Sequence, residues 1–427
     1  MKRFVALLLT TVLLVSVFGI FSGCESWQEP GRVYYLNGVP EAAEAWQKLA
    51  AMYSELHGVE VVVRTITADD CEAALKAELE SDNAPTGFQF HSAREFETLR
   101  SHCLDLTGTA LLGQMTTGDF NLADSNGAVR AIGYSYEAFG IIVNKTLLEQ
   151  AGHSVDTIEN FASLEAVAQD IHSRSEELGL DAFTSSGLAP SSAWRFAGDL
   201  ASVPLYYEFR DRGVFGRQTD VTGAYLKQYR QIWDLYLRNS AADNLFLSST
   251  TEHTSLEEFA AGKAVFIQHN ASLYQELAAS PYDMDPNQLT MIPIYCGVEG
   301  EENAALCCND KGYWAVNSAA SEADRKATLD FLNWVVTSEY GIGILAEQFG
   351  GLPFKAAENR SAGFYINANA MIAEGKYALT GCTVDDEAWE DALAAALAEY
   401  AADLTDESWA KVEKTFIENW GKSEISS

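Results

Sequence analysis

The sequence has few basic residues for its length, and this scarcity excludes one large class of functions. Lysine and arginine together number 28 against 61 aspartate and glutamate residues, which gives a formal charge of −33 at pH 7. A chain this acidic is repelled by nucleic acids and by anionic membrane surfaces, because those carry charge of the same sign. We therefore expect no nucleic-acid partner, and we expect a ligand that tolerates a negative field, such as a neutral sugar.

Cysteine is also sparse, with seven residues in a chain of 427. So few cysteines exclude a fold that depends on a disulfide framework. The cysteines that follow residue 24 are Cys71, Cys103, Cys296, Cys307, Cys308 and Cys382. Their even number is compatible with disulfides in an oxidising compartment, and the sequence leaves their pairing open.

Motifs for metals and cofactors are missing as well. No CxxC pair occurs, and the seven histidines are scattered without metal-ligand spacing, so we predict no zinc, redox or cofactor site. Asp283, Asp285 and Asn287 imitate the start of a calcium loop. The central glycine is absent, however, and Ile294 stands where the closing glutamate belongs, which argues against calcium binding there.

The common catalytic signatures are absent too: the sequence contains no GxSxG, no P-loop, no GxGxxG and no HExxH. A pair of catalytic carboxylates, which a glycoside hydrolase needs, cannot be tested among 61 acidic residues. The lack of a signature favours a binding protein over an enzyme. A secreted glycoside-active enzyme remains the less favoured alternative.

One long hydrophobic run is present, at the N-terminus. Lys2 and Arg3 precede residues 4–21, which contain no charge and are numerous enough to span a bilayer. Small residues and then Cys24 follow directly. A charged start, an apolar run and small residues at the end are typical of a secretory signal. We predict that residues 1–23 are a signal peptide and that residues 24–30 are a tether.

The rest of the chain alternates between strand and helix patterns. Strands are predicted at 33–36, 59–66 and 87–91, with helices at 41–57 and from 69 or 70 to about 80. Such alternation predicts an open α/β sheet that is covered on both faces. Ligands bind beyond the carboxyl ends of the strands in these sheets. Residues 37–41 and 91–94 are therefore expected beside a cleft.

The alternation restarts after Glu137, which lies between strand-like runs at 131–136 and 139–143. Later strands are predicted at 182–185, 264–268 and 289–294, and later helices at 160–178, 191–201, 218–238, 321–337, 386–400 and 406–420. No repeat or low-complexity linker separates the two halves. We therefore expect two interwoven lobes, with 289–294 as a candidate for the return crossing.

Three segments carry a resemblance to a known family. They read GIIVNKTLLEQAG at 140–152, FAAGKAVF at 259–266, and TLDFLNWVVTSEYG at 328–341 followed by GGLPF at 350–354. In this order they resemble the extracellular solute-binding proteins of sugar ABC importers, the maltose-binding-protein-like family 1 type. Residues 21–24 (FSGC) also resemble a bacterial lipobox, in which Cys24 is lipidated.

The resemblance implies a type II periplasmic-binding-protein-like fold, with two α/β lobes that each contain a mainly parallel sheet flanked by helices. Interlobe strands form the hinge, and the lobes close on the ligand. Lobe 1 would comprise 31–137 and 290–337, and lobe 2 would comprise 138–289 and 338–427. The implied protein captures a sugar or oligosaccharide and passes it to the permease subunits of an ABC importer. A polyamine or a peptide in place of the sugar is the alternative ligand.

The same comparison implies that the protein lies outside the cytoplasm, attached to the cell membrane only by the lipid on Cys24. It would act without catalysis or a cofactor. Nothing in the sequence indicates obligate oligomers, so we expect a monomer.

A sugar site needs flat aromatic rings for the sugar face and polar groups for the hydroxyls. The candidate residues are Glu41, His91, Ser92, Glu137, Trp194, Arg195, Asn270, Tyr274, Tyr313, Trp314 and Trp389. Each has a structural alternative, such as a helix-dipole role for Glu41 or a core role for the tryptophans. Many relatives carry Trp after the strand at 264–268, where Ser272 stands here. Either Tyr274 takes over the stacking or the ligand differs.

Overall fold

The computed structural model describes residues 31–67, 71–214, 218–301, 306–357, 363–380 and 386–421. Cys24 and the predicted signal peptide and tether lie outside the described residues, as does Cys382. Among the described residues, no helix combines the length and the apolarity that crossing a membrane requires.

The described chain alternates strands and helices over much of its length, as the sequence pattern predicts, and includes several pairs of consecutive helices. The strands are β1 (Val33–Asn37), β2 (Val61–Thr65), β3 (Gly87–Phe90), β4 (Leu122–Ala123), β5 (Val129–Gly133), β6 (Tyr136–Asn144), β7 (Asp181–Phe183), β8 (Ala264–Asn270), β9 (Leu289–Ile292), β10 (Leu306–Asp310), β11 (Tyr313–Val316) and β12 (Tyr377–Leu379). The helices are α1 (Ala43–His57), α2 (Cys71–Leu79), α3 (Ala93–Leu99), α4 (Lys145–Gln150), α5 (Phe161–Ser173), α6 (Ser175–Leu178), α7 (Ala201–Arg212), α8 (Leu226–Arg238), α9 (Glu252–Ala260), α10 (Leu273–Ala278), α11 (Glu322–Thr337), α12 (Glu339–Phe349), α13 (Tyr365–Ala373), α14 (Glu387–Asp403) and α15 (Asp406–Glu418). A π-helix, Arg195–Leu200, leads directly into α7.

Polar side chains mark where many of these helices begin. Ser92, Asn144, Asn160, Ser321 and Thr405 each accept a hydrogen bond from a backbone amide in the first turn of the helix that follows. Such caps satisfy amides that have no partner within the helix, which fixes the helix start. The predicted starts near 160, 321 and 406 agree with the structure for this reason.

The strands form two six-stranded sheets. The first has the order β2-β1-β3-β11-β5-β4, and the second has the order β12-β10-β6-β8-β7, with β9 also paired to β6. Most strands of each sheet run in one direction, but β11 is antiparallel to β3 and β5, and β6 is antiparallel to β8 and β10. These two central strands arrive from the other sheet: β6 follows β5, and β11 follows β10. The predicted crossing strands are therefore present.

The expected position of the return crossing, 289–294, is wrong. β9 stays in the second sheet, where Ile292 pairs with Ile141 of β6, and β10 follows it along the same edge of β6. The chain returns to the first sheet only between Asp310 and Tyr313. β6 is long enough to pair with two short strands in succession, and periodicity in the sequence does not reveal which sheet a strand joins.

A second boundary also differs from the expectation. α12 begins the segment that we assigned to lobe 2 from residue 338, but it packs against α1 and α11 on the first-sheet side. Its buried Ile342 and Leu345 belong to the same hydrophobic core as Trp46 and Phe331. The amphipathic pattern of a helix identifies its buried face but not the sheet that covers it.

Candidate functional site

A row of polar residues crosses one end of the second sheet. Asn309 of β10 lies opposite Glu137 of β6. Just beyond β12, Thr380 donates a hydrogen bond of 2.7 Å from its hydroxyl to Asn309 Oδ1. On the other side of β6, the backbone of Ser272, which follows β8, lies close enough to the Glu137 carboxyl to lower its pKa. Polar groups of four neighbouring chain segments therefore converge where the strands end.

A pocket of about 200 Å³ opens beside this row. Its lining consists of Trp194, Gly198, Asp199, Ser202, Asn309, Thr380 and Glu390. One aromatic residue shares this lining with carboxyl, amide and hydroxyl groups, and such a combination can bind the face and the edge of a small polar ligand. Of the residues predicted from the sequence, Trp194 alone lies among those that line it.

The π-helix supplies much of this lining. Trp194 immediately precedes it, and Gly198 and Asp199 lie within it. A Cβ atom on Gly198 would lie 3.2 Å from Glu390 Oε2, so glycine leaves room for the Glu390 carboxylate to approach. π-Helical turns are rare and occur frequently at functional sites.

The acidic groups around the pocket have perturbed protonation. Burial raises the pKa of Asp199 to about 8, and the charges of Glu137 and Glu390 add to this effect, while Lys311 and Arg195 oppose it. Burial also raises the pKa of Glu137, partly offset by the Tyr365 hydroxyl, which donates a hydrogen bond of 2.6 Å to Glu137 Oε1. A carboxylic acid that keeps its proton near neutral pH can donate a hydrogen bond as well as accept one.

Arg195 lies behind this wall and does not face the pocket. Its side chain is only 1% exposed, and its Nη2 donates to Ser255 Oγ at 3.3 Å. Burial lowers the pKa of Arg195 to about 10, although the nearby carboxylates of Glu252 and Asp199 favour its charge. The structure therefore does not place Arg195 at the pocket, because the start of the π-helix turns its side chain inward.

Three predicted aromatic residues belong to the core. Tyr313 stacks on Phe90 with a ring-centroid distance of 5.3 Å, and Trp314 stacks on Tyr134 at 4.9 Å. Trp389 donates from its indole nitrogen to the backbone oxygen of Phe416 at 2.8 Å. All three are at most 2% exposed. None of the three lines the pocket, and the sequence did not reveal this because a buried aromatic and a ligand-facing aromatic have the same local pattern.

Glu41, His91 and Ser92 lie on the first-sheet side, at the carboxyl ends of β1 and β3, outside the pocket. Glu41 is exposed in a short 3₁₀ turn ahead of α1. His91 Nε2 lies 3.1 Å from Gly38 O, and Ser92 caps α3. Their position beside the strand ends agrees with the prediction. His91 and Ser92 have local structural partners there.

Asn270, Ser272 and Tyr274 follow β8. Asn270 Oδ1 accepts a hydrogen bond of 2.7 Å from the Ser272 hydroxyl. Tyr274 is half-buried: a Cβ atom on Gly363 would lie 2.2 Å from its ring, and Phe364 packs edge-on at 5.4 Å. Tyr274 is not among the residues that line the pocket.

Sequence reasoning missed Asp199, Asn309, Thr380 and Glu390. Asn309 is a polar residue at the end of an apolar strand, which is a signal that could have found it. Asp199 and Glu390 lie inside helices and carry no comparable signal. Among the described residues, no group of three or more histidine, cysteine, aspartate or glutamate side chains could hold a metal ion.

The family model for the bacterial extracellular solute-binding proteins matches residues 48–373. The chain belongs to this family. No curated protein matches its sequence.

Solved structures of solute receptors share the fold over nearly their full length. RafE from Streptococcus pneumoniae, in its apo form, is 15% identical and has a TM-score of 0.67, with 92% of this chain and 98% of that chain covered. The receptor AcbH, described as having an exclusive preference for β-D-galactopyranose, is 12% identical with a TM-score of 0.69, and 93% of this chain and 99% of that chain are covered. The GacH receptor of Streptomyces glaucescens, solved also with acarbose, is 18% identical with a TM-score of 0.57 and coverages of 92% and 100%.

These likenesses establish the two-lobe binding-protein fold. The two six-stranded sheets with their exchanged central strands agree with it, and the predicted fold class is confirmed.

Proposed function

We propose that this family member captures a sugar or oligosaccharide between two lobes and delivers it to the permease subunits of an ABC importer. The observation that carries the proposal is the pocket in which Trp194 faces Asn309, Thr380, Asp199 and Glu390. An indole packs well against the C–H face of a sugar ring, while amide, hydroxyl and carboxyl groups bind its hydroxyls. Three such receptors with this fold are described with raffinose, acarbose or galactopyranose.

The first lobe would contain the first sheet with α1 and α12, and the second lobe would contain the second sheet with α14 and α15. Glu41, His91 and Ser92 would form the wall opposite Trp194 when the lobes close, since they lie at the carboxyl ends of first-sheet strands. Glu137, at the start of the strand that crosses to the second lobe, would contribute its carboxyl near the hinge. The segments around Tyr134 and Lys311 would be hinge residues, because they connect the sheets.

We further propose that Cys24 carries a lipid that holds the protein on the outer side of the cell membrane. The protein would act as a monomer and without catalytic turnover. The lipobox-like residues 21–24 and the apolar run before them support the anchor. Membership of an extracellular family supports the location.

The decisive experiment is a thermal-shift screen of residues 25–427 against mono- and oligosaccharides, with polyamines and peptides as controls. A ligand at 100 times its Kd stabilises the folded state by about 2.7 kcal/mol, which raises the melting temperature by a few degrees. A shift with one class of glycan supports the proposal and identifies the cargo. A shift only with polyamines or peptides, or with nothing in the screen, would overturn the carbohydrate assignment.

A further inference from the structure

The Glu252 carboxylate lies next to the pocket, beside His269 and Trp194. His269 Nε2 lies 2.7 Å from Glu252 Oε1, and this contact lowers the pKa of Glu252, with a smaller lowering effect from the Trp194 side chain. Glu252 is the first residue of α9, and its backbone amide donates to Ser192 Oγ at 2.8 Å. The acid is therefore fixed by its own backbone to the segment that carries Trp194.

His269 completes the support of the indole. Its ring lies edge-on to Trp194, with a centroid distance of 5.5 Å and an interplanar angle of 87°. The His269 side chain is almost fully buried, and its Nδ1 lies 3.0 Å from Asn270 Oδ1. Trp194 itself is half-buried, so one side of the ring rests on His269 while the ring remains available to the pocket.

The polar contacts continue along the turn after β8. Asn270 Oδ1 also accepts a hydrogen bond from the Ser272 hydroxyl. The connected residues, in order, are Glu252, His269, Asn270 and Ser272, and Trp194 joins them through its ring contact with His269.

We propose that Glu252 and His269 are positioning residues that hold the Trp194 indole in the orientation that receives the ligand. The inference rests on the proposed function, since it assigns a purpose to Trp194 as the aromatic wall of that pocket. A half-buried tryptophan without such support samples several orientations, and ordering it on binding costs affinity. The Glu252–His269 pair removes that cost in advance, because Glu252 fixes the His269 ring and the His269 ring packs against the indole.

The first test follows Trp194 without any ligand. The protein is labelled with 5-fluorotryptophan, and Trp194→Phe assigns the Trp194 signal in the ¹⁹F NMR spectrum. In Glu252→Ala and His269→Gln this signal should shift and broaden, while the signal of the core residue Trp389 stays in place. Glu252→Gln keeps a hydrogen-bonding partner for His269 and should restore most of the wild-type signal. Glu257→Ala, an exposed position on the same helix, is the matched control.

An unchanged Trp194 signal in both Glu252→Ala and His269→Gln would overturn the inference. A shift that Glu252→Gln fails to restore would also overturn it, because the effect would then be general damage to α9. Neither outcome depends on which ligand the protein carries, so the result stands even if the sugar screen fails.

The second test measures the consequence for binding by calorimetric titration with raffinose and with D-galactose. Loss of the Glu252 support should weaken binding of a probe that occupies the pocket by about tenfold, the scale of one hydrogen bond to a charged group. Glu252→Gln and Glu257→Ala should bind as the wild type does. Equal affinity for Glu252→Ala and the wild type would contradict the inference. If the wild type binds neither probe, this result counts against the proposed sugar function. The NMR measurement then decides by itself whether Glu252 and His269 position Trp194.

Discussion

The Tyr377 hydroxyl donates a hydrogen bond of 2.6 Å to Asp119 Oδ2. This contact joins the two sheets through residues that do not belong to the crossing strands. Tyr377 belongs to β12 of the second sheet, whereas Asp119 lies just before β4 of the first. Thr117 Oγ1 lies 2.8 Å from the same hydroxyl, and the ring of Phe120 stacks on Tyr377 with an interplanar angle of 8°. Burial raises the pKa of the Tyr377 hydroxyl, so it stays protonated as a donor.

Tyr377→Phe should favour an arrangement in which the two sheets lie further apart. The substitution keeps the stacked ring and removes only the hydroxyl that Asp119 and Thr117 contact. A hydrogen bond to a charged group contributes about 1.5–3 kcal/mol, enough to change the ratio of two conformations about tenfold or more. Small-angle X-ray scattering of the ligand-free protein should therefore give a larger radius of gyration.

The matched control for this experiment is Tyr340→Phe, because Tyr340 is a partly exposed tyrosine on α12. Its radius of gyration should equal that of the wild type. If Tyr377→Phe scatters as the wild type does, the hydroxyl contact has no influence on the distance between the sheets.

Asp199 should make the stability of the protein depend on pH. Its pKa of about 8 in the folded protein exceeds the ordinary value of 3.8, so the folded state binds one more proton than the unfolded state between these limits. The Asp199 carboxyl therefore adds to the free energy of unfolding at low pH, and this contribution is lost as the pH rises from about 4 to about 8. Melting temperatures measured from pH 5 to pH 9 should fall less steeply for Asp199→Asn than for the wild type.

Glu137 will also make the melting temperature fall as the pH rises, because its pKa is raised as well. Each variant compared with the wild type must therefore change only one of these two residues. Asp156→Asn, an exposed acid in a surface 3₁₀ turn, is the control and should retain the wild-type slope. Parallel curves for the wild type and Asp199→Asn would show that the Asp199 carboxyl titrates normally.

The helices and strands were predictable because burial imposes periodic patterns on the sequence. The helix predicted at 321–337 is observed as Glu322–Thr337 with Ser321 as its cap. The pairing of strands was less predictable: β9 reads as a short apolar run that fits either sheet, and β10, with the sequence LCCND, was not predicted as a strand. Pairing depends on contacts between residues far apart in the chain, which local periodicity does not encode.

The candidate site was predictable only in part, for a similar reason. Trp194 was identified and lines the pocket, and Glu137 lies in the polar row beside it. Trp314 and Trp389 looked equally suitable in sequence, but each packs against core aromatics. The difference between these tryptophans is whether a neighbouring element covers the ring, and this is a property of the tertiary structure.

Trp194→Ala and Trp389→Ala should separate binding from stability. Trp194→Ala should weaken sugar binding by roughly 1–3 kcal/mol, the scale for losing one large apolar contact, with little effect on the unfolding free energy. Trp389→Ala creates a cavity in the core and should lower the unfolding free energy by about 3–5 kcal/mol. Calorimetric titration and denaturant unfolding of both variants provide the measurements. Unchanged affinity in Trp194→Ala would remove this residue from the site.

Cys24→Ser should leave the protein unanchored, because a serine cannot form the thioether that attaches the lipid. Cells that express the variant should release it from washed membranes, and mass spectrometry should detect no lipid at the N-terminus. Cys71→Ser, which lies on α2 outside the leader, is the control and should stay membrane-bound with the lipid intact. Retention of the Cys24→Ser protein in the membrane fraction would mean that residues 4–21 remain attached and act as a membrane span, since their length is sufficient for one.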